Sequence, residues 1–335
     1  MPTLPIKIND KTQTMWPFAS YPELSAADVD GKTFDYVIVG GKVPVLTHSS
    51  HQINPHYILL TPKKKPGGTA GCVLASRLSQ DPSVTVAVLE KGFVRDNFWT
   101  RIPLLSSNFH FPGMQSVLRH SEPVAAFNGL KLQLWTAEAL GGASRVNGML
   151  LTRGVPGGYN FWAESLGLKE WSWEKVEPYF KRSENAVGRP GANHRGHDGP
   201  IENRPAGVVL GSIEYVNEAA RKVGLPIQSD ANDPAASAQG CFDLDQTVDS
   251  RGMRLSAYRA WLPPSVARER RDRLAVCTGV IASKLVSDED ASRVEGVRIR
   301  SVRPGAGTGE YVVKARREVI VCSGAICTPQ LLMLR

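Results

Sequence analysis

The 335-residue chain is 42% hydrophobic and 21% charged, a globular composition with room for one large or two ordinary domains, which excludes a wholly disordered or fibrous chain. Half of the formal charge of +8 comes from Lys42, Lys63, Lys64 and Lys65, in a segment without a carboxylate, and no basic face is interleaved with aromatics, so no nucleic-acid partner is expected. No apolar stretch is long enough for a membrane span and residues 1–30 lack the apolar core of a secretory signal, so the expectation is a cytoplasmic protein without a membrane partner.

The apolar, β-branched run Phe34–Val39 predicts a buried parallel strand, and the small and apolar spacing of Thr69–Leu78 predicts a helix packed closely on a sheet. Between such elements belongs a glycine turn that lets the backbone approach a pyrophosphate, which then sits on the free N–H groups of the helix. Residues 42–67 intervene here. Without them the sequence reads VIVGGGTAGCVLASRL, a complete G-x-G-x-x-G, so Gly40, Gly41, Gly68, Thr69, Ala70 and Gly71 are the candidate phosphate-contacting positions.

Three readings of residues 42–67 compete. A functional loop is permitted by chain entropy, since closure costs only about 0.6 kcal/mol per doubling of length. A metal- or DNA-binding insert could use His48, His51, His56 and the lysines, but no ligand spacing speaks for it. The favoured reading is a retained intron: Gly41-Lys42 can encode a donor site and Pro66-Gly67 an acceptor, and in-frame excision restores three consecutive glycines. The segment, with Pro44, Pro55, Pro62 and Pro66, predicts no packed element.

Val84–Leu89 predicts the next strand, ending on Glu90, where an acidic side chain can accept ribose hydroxyls. Glu90 by itself would read as a solvated strand end. Strand, turn, helix, strand and terminal glutamate in this order predict an ADP-binding βαβ unit. His110 and His120 then fall in a stretch expected to be irregular.

The stretch ALGGASRVNGMLLTRGVPGGYNFWAE, Ala139–Glu164, pairs glycines with small residues, as a backbone passing close to a cofactor would; Gly141-Gly142 alone would be a tight structural turn. It resembles the first signature of the glucose-methanol-choline (GMC) family of FAD-dependent oxidoreductases, LGGSS-x-x-NGM, followed by an Arg-Gly pair and an aromatic-Trp pair. Here these are LGGAS, Asn147-Gly148-Met149, Arg153-Gly154 and Phe161-Trp162. VEPYFKRSEN (Val176–Asn185), HRGHDGP (His194–Pro200) and REVIVCSGAICTPQLLMLR (Arg317–Arg335) are similar to later family stretches, the last with Ser323-Gly324-Ala325 at a strand end and Thr328-Pro329-Gln330 opening a helix.

The resemblance implies FAD as cofactor, with Gly141, Gly142, Ser144, Asn147, Gly148, Met149, Ser323 and Gly324 added to its candidate contacts. Leu274–Leu285 is expected to be one strand through Val280, the position whose backbone meets the adenine in relatives. The implied fold is α/β, a Rossmann-like FAD-binding domain over 34–155 and 271–335 with the start of an interposed α+β substrate domain over 156–270. The implied reaction is oxidation of an alcohol by hydride transfer to the flavin, with oxygen or a quinone or dye as electron acceptor.

The family's histidine base is expected to lie past Arg335, so no catalytic residue is assigned and the chain is expected to be inactive. His194 and His197 are expected in a hydrogen-bonded loop rather than as metal ligands with Asp198, and no metal is expected. Relatives carry an arginine, a glycine and a basic residue before LGG. This chain has Thr136-Ala137-Glu138, and Glu138 is expected to repel the flavin phosphates. Trp171, Trp173, Val176, Tyr179 and Phe180 are expected to form the apolar face of a packed helix, and residues 211–225 an amphipathic helix ending near Gly224. The five cysteines suit free thiols better than disulfides. A noncatalytic flavin-binding or scaffold protein is the alternative.

Overall fold

A computed structural model describes residues 21–40, 68–107, 115–206, 211–290 and 292–334. Gly41, the segment 42–67 with its three histidines, and His110 lie outside the described residues, and so does the retained-intron reading. The chain divides into two compact units, one of 1–100, 104–146 and 256–335, the other of 101–103 and 147–255.

The first unit is built on a six-stranded sheet in the order β11 (Leu274–Thr278), β2 (Val86–Glu90), β1 (Thr33–Val39), β14 (Glu310–Val321), β13 (Val294–Ser301) and β12 (Val280–Ser287). A short helix, α1 (Ala26–Val29), is opened by a reciprocal Ser25–Asp28 cap and leads into β1 (Thr33–Val39). Helix α2 (Thr69–Leu78) covers the bounds its residue pattern predicts, and β2 (Val86–Glu90) is buried at every position. β1 pairs in parallel with β2 on one side and β14 (Glu310–Val321) on the other, and β11 (Leu274–Thr278) extends the parallel set beyond β2. Strands covered on both faces need apolar side chains throughout, which is why Val37, Ile38, Val39, Val86, Ala87 and Leu89 are all fully buried. Asp35 is a polar exception in β1; its carboxylate accepts the N–H and hydroxyl of Thr85, both at 2.9 Å, tying the start of β1 to that of β2.

Leu274–Leu285 is not one strand. It breaks at Gly279 into β11 and β12 (Val280–Ser287), and β12 pairs antiparallel with β13 (Val294–Ser301), which pairs antiparallel with β14. Helix α8 (Gly324–Met333) opens at Gly324, so Thr328-Pro329-Gln330 lies inside it. The stretch before LGG is more ordered than expected: β3 (Ser116–His120) and β4 (Gln133–Ala137) form an antiparallel hairpin. Helices α6 (Ala257–Trp261) and α7 (Pro264–Glu269) complete the unit.

The second unit holds a four-stranded sheet, β5 (Leu150–Leu151), β10 (Asp245–Gln246), β7 (Ile201–Pro205) and β6 (Glu184–Ala186) in that order, and a small pair, β8 (Ile227–Gln228) with β9 (Cys241–Phe242). Its helices are α3 (Pro156–Ser165), α4 (Trp173–Ser183) and α5 (Ile213–Lys222), the last just before Gly224 as its pattern predicts. The aromatic run does not pack as a core face. Trp171 is 53% and Tyr179 63% exposed; with Tyr159, Trp162 and Phe180 they line an open groove of about 760 Å³.

A buried ionic network holds this unit together. Arg195 donates to Glu184 at 2.6 Å, to Asp230 at 2.9 and 3.0 Å and to Asn203 at 3.0 Å, and pairs with Asp245 at 2.7 Å. Arg153 pairs with the other oxygen of Glu184, Arg189 with Asp245, and His194 meets Asp230 at 2.9 Å. Removing one partner of such a cluster leaves buried charge uncompensated. Arg195→Met is therefore expected to cost about 3–5 kcal/mol and to open residues 147–255 to limited proteolysis; unchanged cleavage there contradicts it.

Candidate functional site

The carboxyl ends of the parallel strands meet at one edge of the first unit. The Gly40 N–H donates to the Leu89 carbonyl at 2.9 Å, the Cys322 N–H to the Val39 carbonyl at 2.8 Å, and the Ser323 hydroxyl to the same carbonyl at 3.1 Å. Gly40, Glu90 and Ser323 thus stand at neighbouring strand ends. Gly68 caps α2, and a Cβ built on it would lie 2.8 Å from the Cys322 carbonyl oxygen, so only glycine lets this helix start so close to β14. Thr69 and Ala70, next in α2, are exposed, with N–H groups that no helical carbonyl can reach; Gly71 is buried against Ile38 and Cys322.

The second glycine loop is pinned to the first. Thr69 Oγ1 donates to the Gly141 carbonyl at 3.2 Å and Ser144 Oγ to the same carbonyl at 2.6 Å, while Ser144 accepts the Ala257 N–H at 2.9 Å. Gly141 has φ +101° and a Cβ there would sit 3.0 Å from that of Tyr258, so both conformation and space demand glycine. The Ser144 hydroxyl is spent on holding this turn, a role the motif alone does not reveal. Gly142, buried, opens the following 3-10 turn. Val280 is fully buried at the start of β12, and Gly324 is the first residue of α8.

Asn147, Gly148 and Met149 belong to the second unit. Asn147 Oδ1 accepts the Met149 N–H at 3.2 Å and Arg254 Nη1 at 2.8 Å; Gly148 is exposed; Met149 is buried at φ +63° with its carbonyl bonded to Thr247. Among the described histidines, His120 is exposed on β3, His194 is held by Asp230, and His197 meets the Ala192 carbonyl at 3.3 Å. No group of three or more metal-binding side chains is clustered among the described residues.

Glu90 is the distinctive group. It is fully buried, its Oε1 accepts the Gly92 N–H at 2.6 Å, and its Oε2 has no hydrogen-bond partner among the described residues. Burial pushes its carboxyl well above the usual carboxylate range; the Gly92 bond opposes this, and the charge of Glu138 adds to it. Glu138 itself is not a bare repulsive charge, which corrects the sequence expectation. Lys91 Nζ reaches both its oxygens, at 3.2 and 3.3 Å. Sequence reasoning missed this Lys91–Glu138 exchange and also the buried Arg119 of β3; neither SVLRH nor QLWTA alternates apolar and polar residues, so no period-2 pattern marked the hairpin that carries it. The buried Cys72, beside Gly71, has its thiol pushed up to about 12 by burial and is unreactive.

The GMC oxidoreductase family profile matches residues 60–334. The chain is 34% identical over 271 residues to oxygen-dependent choline dehydrogenases of Burkholderia pseudomallei (strain 1710b) and Pseudomonas fluorescens (strain Pf0-1), covering 79% of this chain and 45% of theirs. Among solved structures it resembles pyridoxine 4-oxidase from Mesorbium loti (TM-score 0.73, 24% identity, 90% of this chain and 51% of that one). It also resembles an FAD-dependent oxidoreductase from Chaetomium thermophilum (TM-score 0.70, 25% identity, 89% and 47%). The chain belongs to the GMC oxidoreductase family, its fold is that family's FAD-binding fold, and it spans about half the length of the curated relatives it matches. The matched range starts after β1, whose place is given by its pairing with β2 and β14.

FAD is the cofactor of this family, and two features of the site fit it. A ribose diol would satisfy the orphaned Oε2 of Glu90, and the exposed first turn of α2 suits phosphate. Because the carboxyl of Glu90 is raised on folding, the native state holds a proton that the unfolded chain releases, and stability falls as pH rises from the unfolded carboxylate value toward the native one. Without cofactor, Glu90→Gln is expected to flatten this decline and to raise the thermal midpoint at pH 8 above that of the wild type. Parallel pH profiles for the two proteins contradict it.

Proposed function

We propose that the chain binds the ADP half of FAD and forms the cofactor-holding part of an alcohol oxidoreductase. The observation that carries the reading is the buried, half-satisfied carboxyl of Glu90 beside the open N-terminus of α2. Glu90 takes the adenine ribose, and backbone groups at Gly40, Gly41, Gly68, Thr69, Ala70 and Gly71 take the phosphates. The loop of Gly141, Gly142 and Ser144 supports the flavin side, with Val280, Ser323 and Gly324 completing the contacts of the first unit.

Bound FAD supplies the hydride acceptor for a substrate CH–OH carbon. The chain's own part is to bind and orient: Thr69 and Ser144 fix the Gly141 turn against α2, and Lys91 neutralises Glu138 near the strand ends. The second unit is the beginning of the substrate domain. No described histidine is assigned as the base that takes the hydroxyl proton. The matched relatives are named as oxygen-dependent choline dehydrogenases, which supports a small alcohol as substrate and oxygen as acceptor.

The test is cofactor retention. Glu90→Ala is expected to weaken FAD binding by about 0.5–1.5 kcal/mol, roughly 2- to 10-fold, the worth of a neutral hydrogen bond. Flavin fluorescence titration measures it, and equal affinities contradict the reading. A chain lacking residues 42–67, which joins Gly41 to Gly68, is expected to retain more FAD through gel filtration than the chain with them. Equal retention shows that the segment does not disturb the phosphate site.

A further inference from the structure

Beside Glu90 lies a cavity of about 260 Å³ whose walls include Gly92, Phe93, Gln115, Ser116, Glu138 and Val302, all in the first unit. A short run of contacts joins it to the Glu90 carboxyl. The Gly92 N–H donates to Glu90 Oε1 at 2.6 Å, a Cβ built on Gly92 would fall 2.3 Å from the Glu138 carbonyl, and the Glu138 N–H donates to the Gln115 carbonyl at 2.7 Å. At another wall the Val302 N–H donates to the Gly279 carbonyl at 2.7 Å, one residue before Val280.

Gln115 is the unusual member of this lining. Its backbone is left-handed, φ +56°, which is uncommon for a residue with a side chain. Its Nε2 and Oε1 are both buried without a hydrogen-bond partner, and no other side-chain amide among the described residues is left in that state. A buried amide with neither bond made is costly, and its donor and acceptor stand side by side, so its complement is an edge that offers an acceptor beside a donor. The charged groups of the cavity do not call for an anion. Lys91 Nζ is paired with Glu138 at 3.2 Å, and the Arg95 guanidinium lies over the Phe93 ring, 5.2 Å from its centre. The ligand class this wall suits is an uncharged heterocycle.

Resting on the cofactor reading above, we infer that this cavity receives the adenine base and that Gln115 selects it, Oε1 accepting from the 6-amino group and Nε2 donating to the neighbouring ring nitrogen. Adenine presents a donor and an acceptor side by side, which a glutamine amide matches at two points. The covalent structure of the ligand fixes the placement. A base is one glycosidic bond from its ribose, so a ribose held by Glu90 puts the base in the space adjoining Gly92.

The experiment compares ADP with purine riboside 5′-diphosphate, which lacks only the 6-amino group, as competitors of FAD on the full chain. The wild type is expected to bind ADP about tenfold more tightly, because the second ligand leaves Oε1 buried and unpaired. Gln115→Leu and Gln115→Met are expected to bring the ratio of the two affinities close to one. A purely structural role for Gln115 would weaken both ligands together and keep the ratio. Without ligand, the thermal midpoint of Gln115→Met should match or exceed that of the wild type, since the orphaned amide is gone. If Gln115→Leu does not fold, Gln115→Met, which keeps the unbranched shape, carries the test. Equal affinities in the wild type, or a ratio that survives in Gln115→Met, overturn the inference and leave the cofactor reading standing. A wild-type chain that binds none of FAD, ADP and purine riboside 5′-diphosphate overturns both.

Discussion

The structure of the first unit depends on the register of β1 between β2 and β14. Val39 opposes Leu89 on one side and Val321 on the other, so all three strands end at one level. That alignment places Gly40, Glu90 and Ser323 side by side, and it sets the start of α2 against the Cys322 carbonyl and the start of α8 just beyond it. A parallel sheet of this kind binds ligands outside the carboxyl ends of its strands, where helix N-termini open toward solvent. A slip of one residue in β1 would reverse every side chain in it and turn Asp35 and Val39 to the wrong faces.

Buried polar groups are paired to different degrees. In the second unit, Arg195, Arg153 and Arg189 are matched against Glu184, Asp230 and Asp245, with Arg189 Nη2 left without a hydrogen-bond partner among the described residues. In the first, Glu90 Oε2 and Arg119 Nη2 are buried without one. Orphaned groups of this kind cost stability unless something else satisfies them. The Glu90 carboxyl is suited to the hydroxyls of a ribose. Nearby, Lys91 pairs with Glu138 at 3.2 Å.

Much of this was legible in the sequence because the informative elements are local. Phe34–Val39 and Thr69–Leu78 each need only their own apolar spacing, and both emerge at or within a residue of their predicted bounds. What escaped depends on contacts made at long range. The break at Gly279 comes from β12 leaving the parallel set to pair with β13, which no property of Leu274–Leu285 announces. The aromatic run has helical spacing, yet Trp171 and Tyr179 line an open groove, since periodicity reports that a face exists and not what covers it. Glu138 looked hostile to phosphate because Lys91, its partner, is far away in sequence. Likewise, the Ser144 hydroxyl is committed to a turn that only the fold brings together.

The central claim is that this strand edge, and not another surface, receives the ADP half of FAD. Hydrogen–deuterium exchange of the full chain with and without FAD tests it most directly, because the phosphate-binding groups are backbone amides. The account predicts slowed exchange at Thr69, Ala70 and Gly71 and at Gly92, whose N–H is bonded to Glu90. FAD binding with no change at these amides, and protection confined to the second unit, would contradict it.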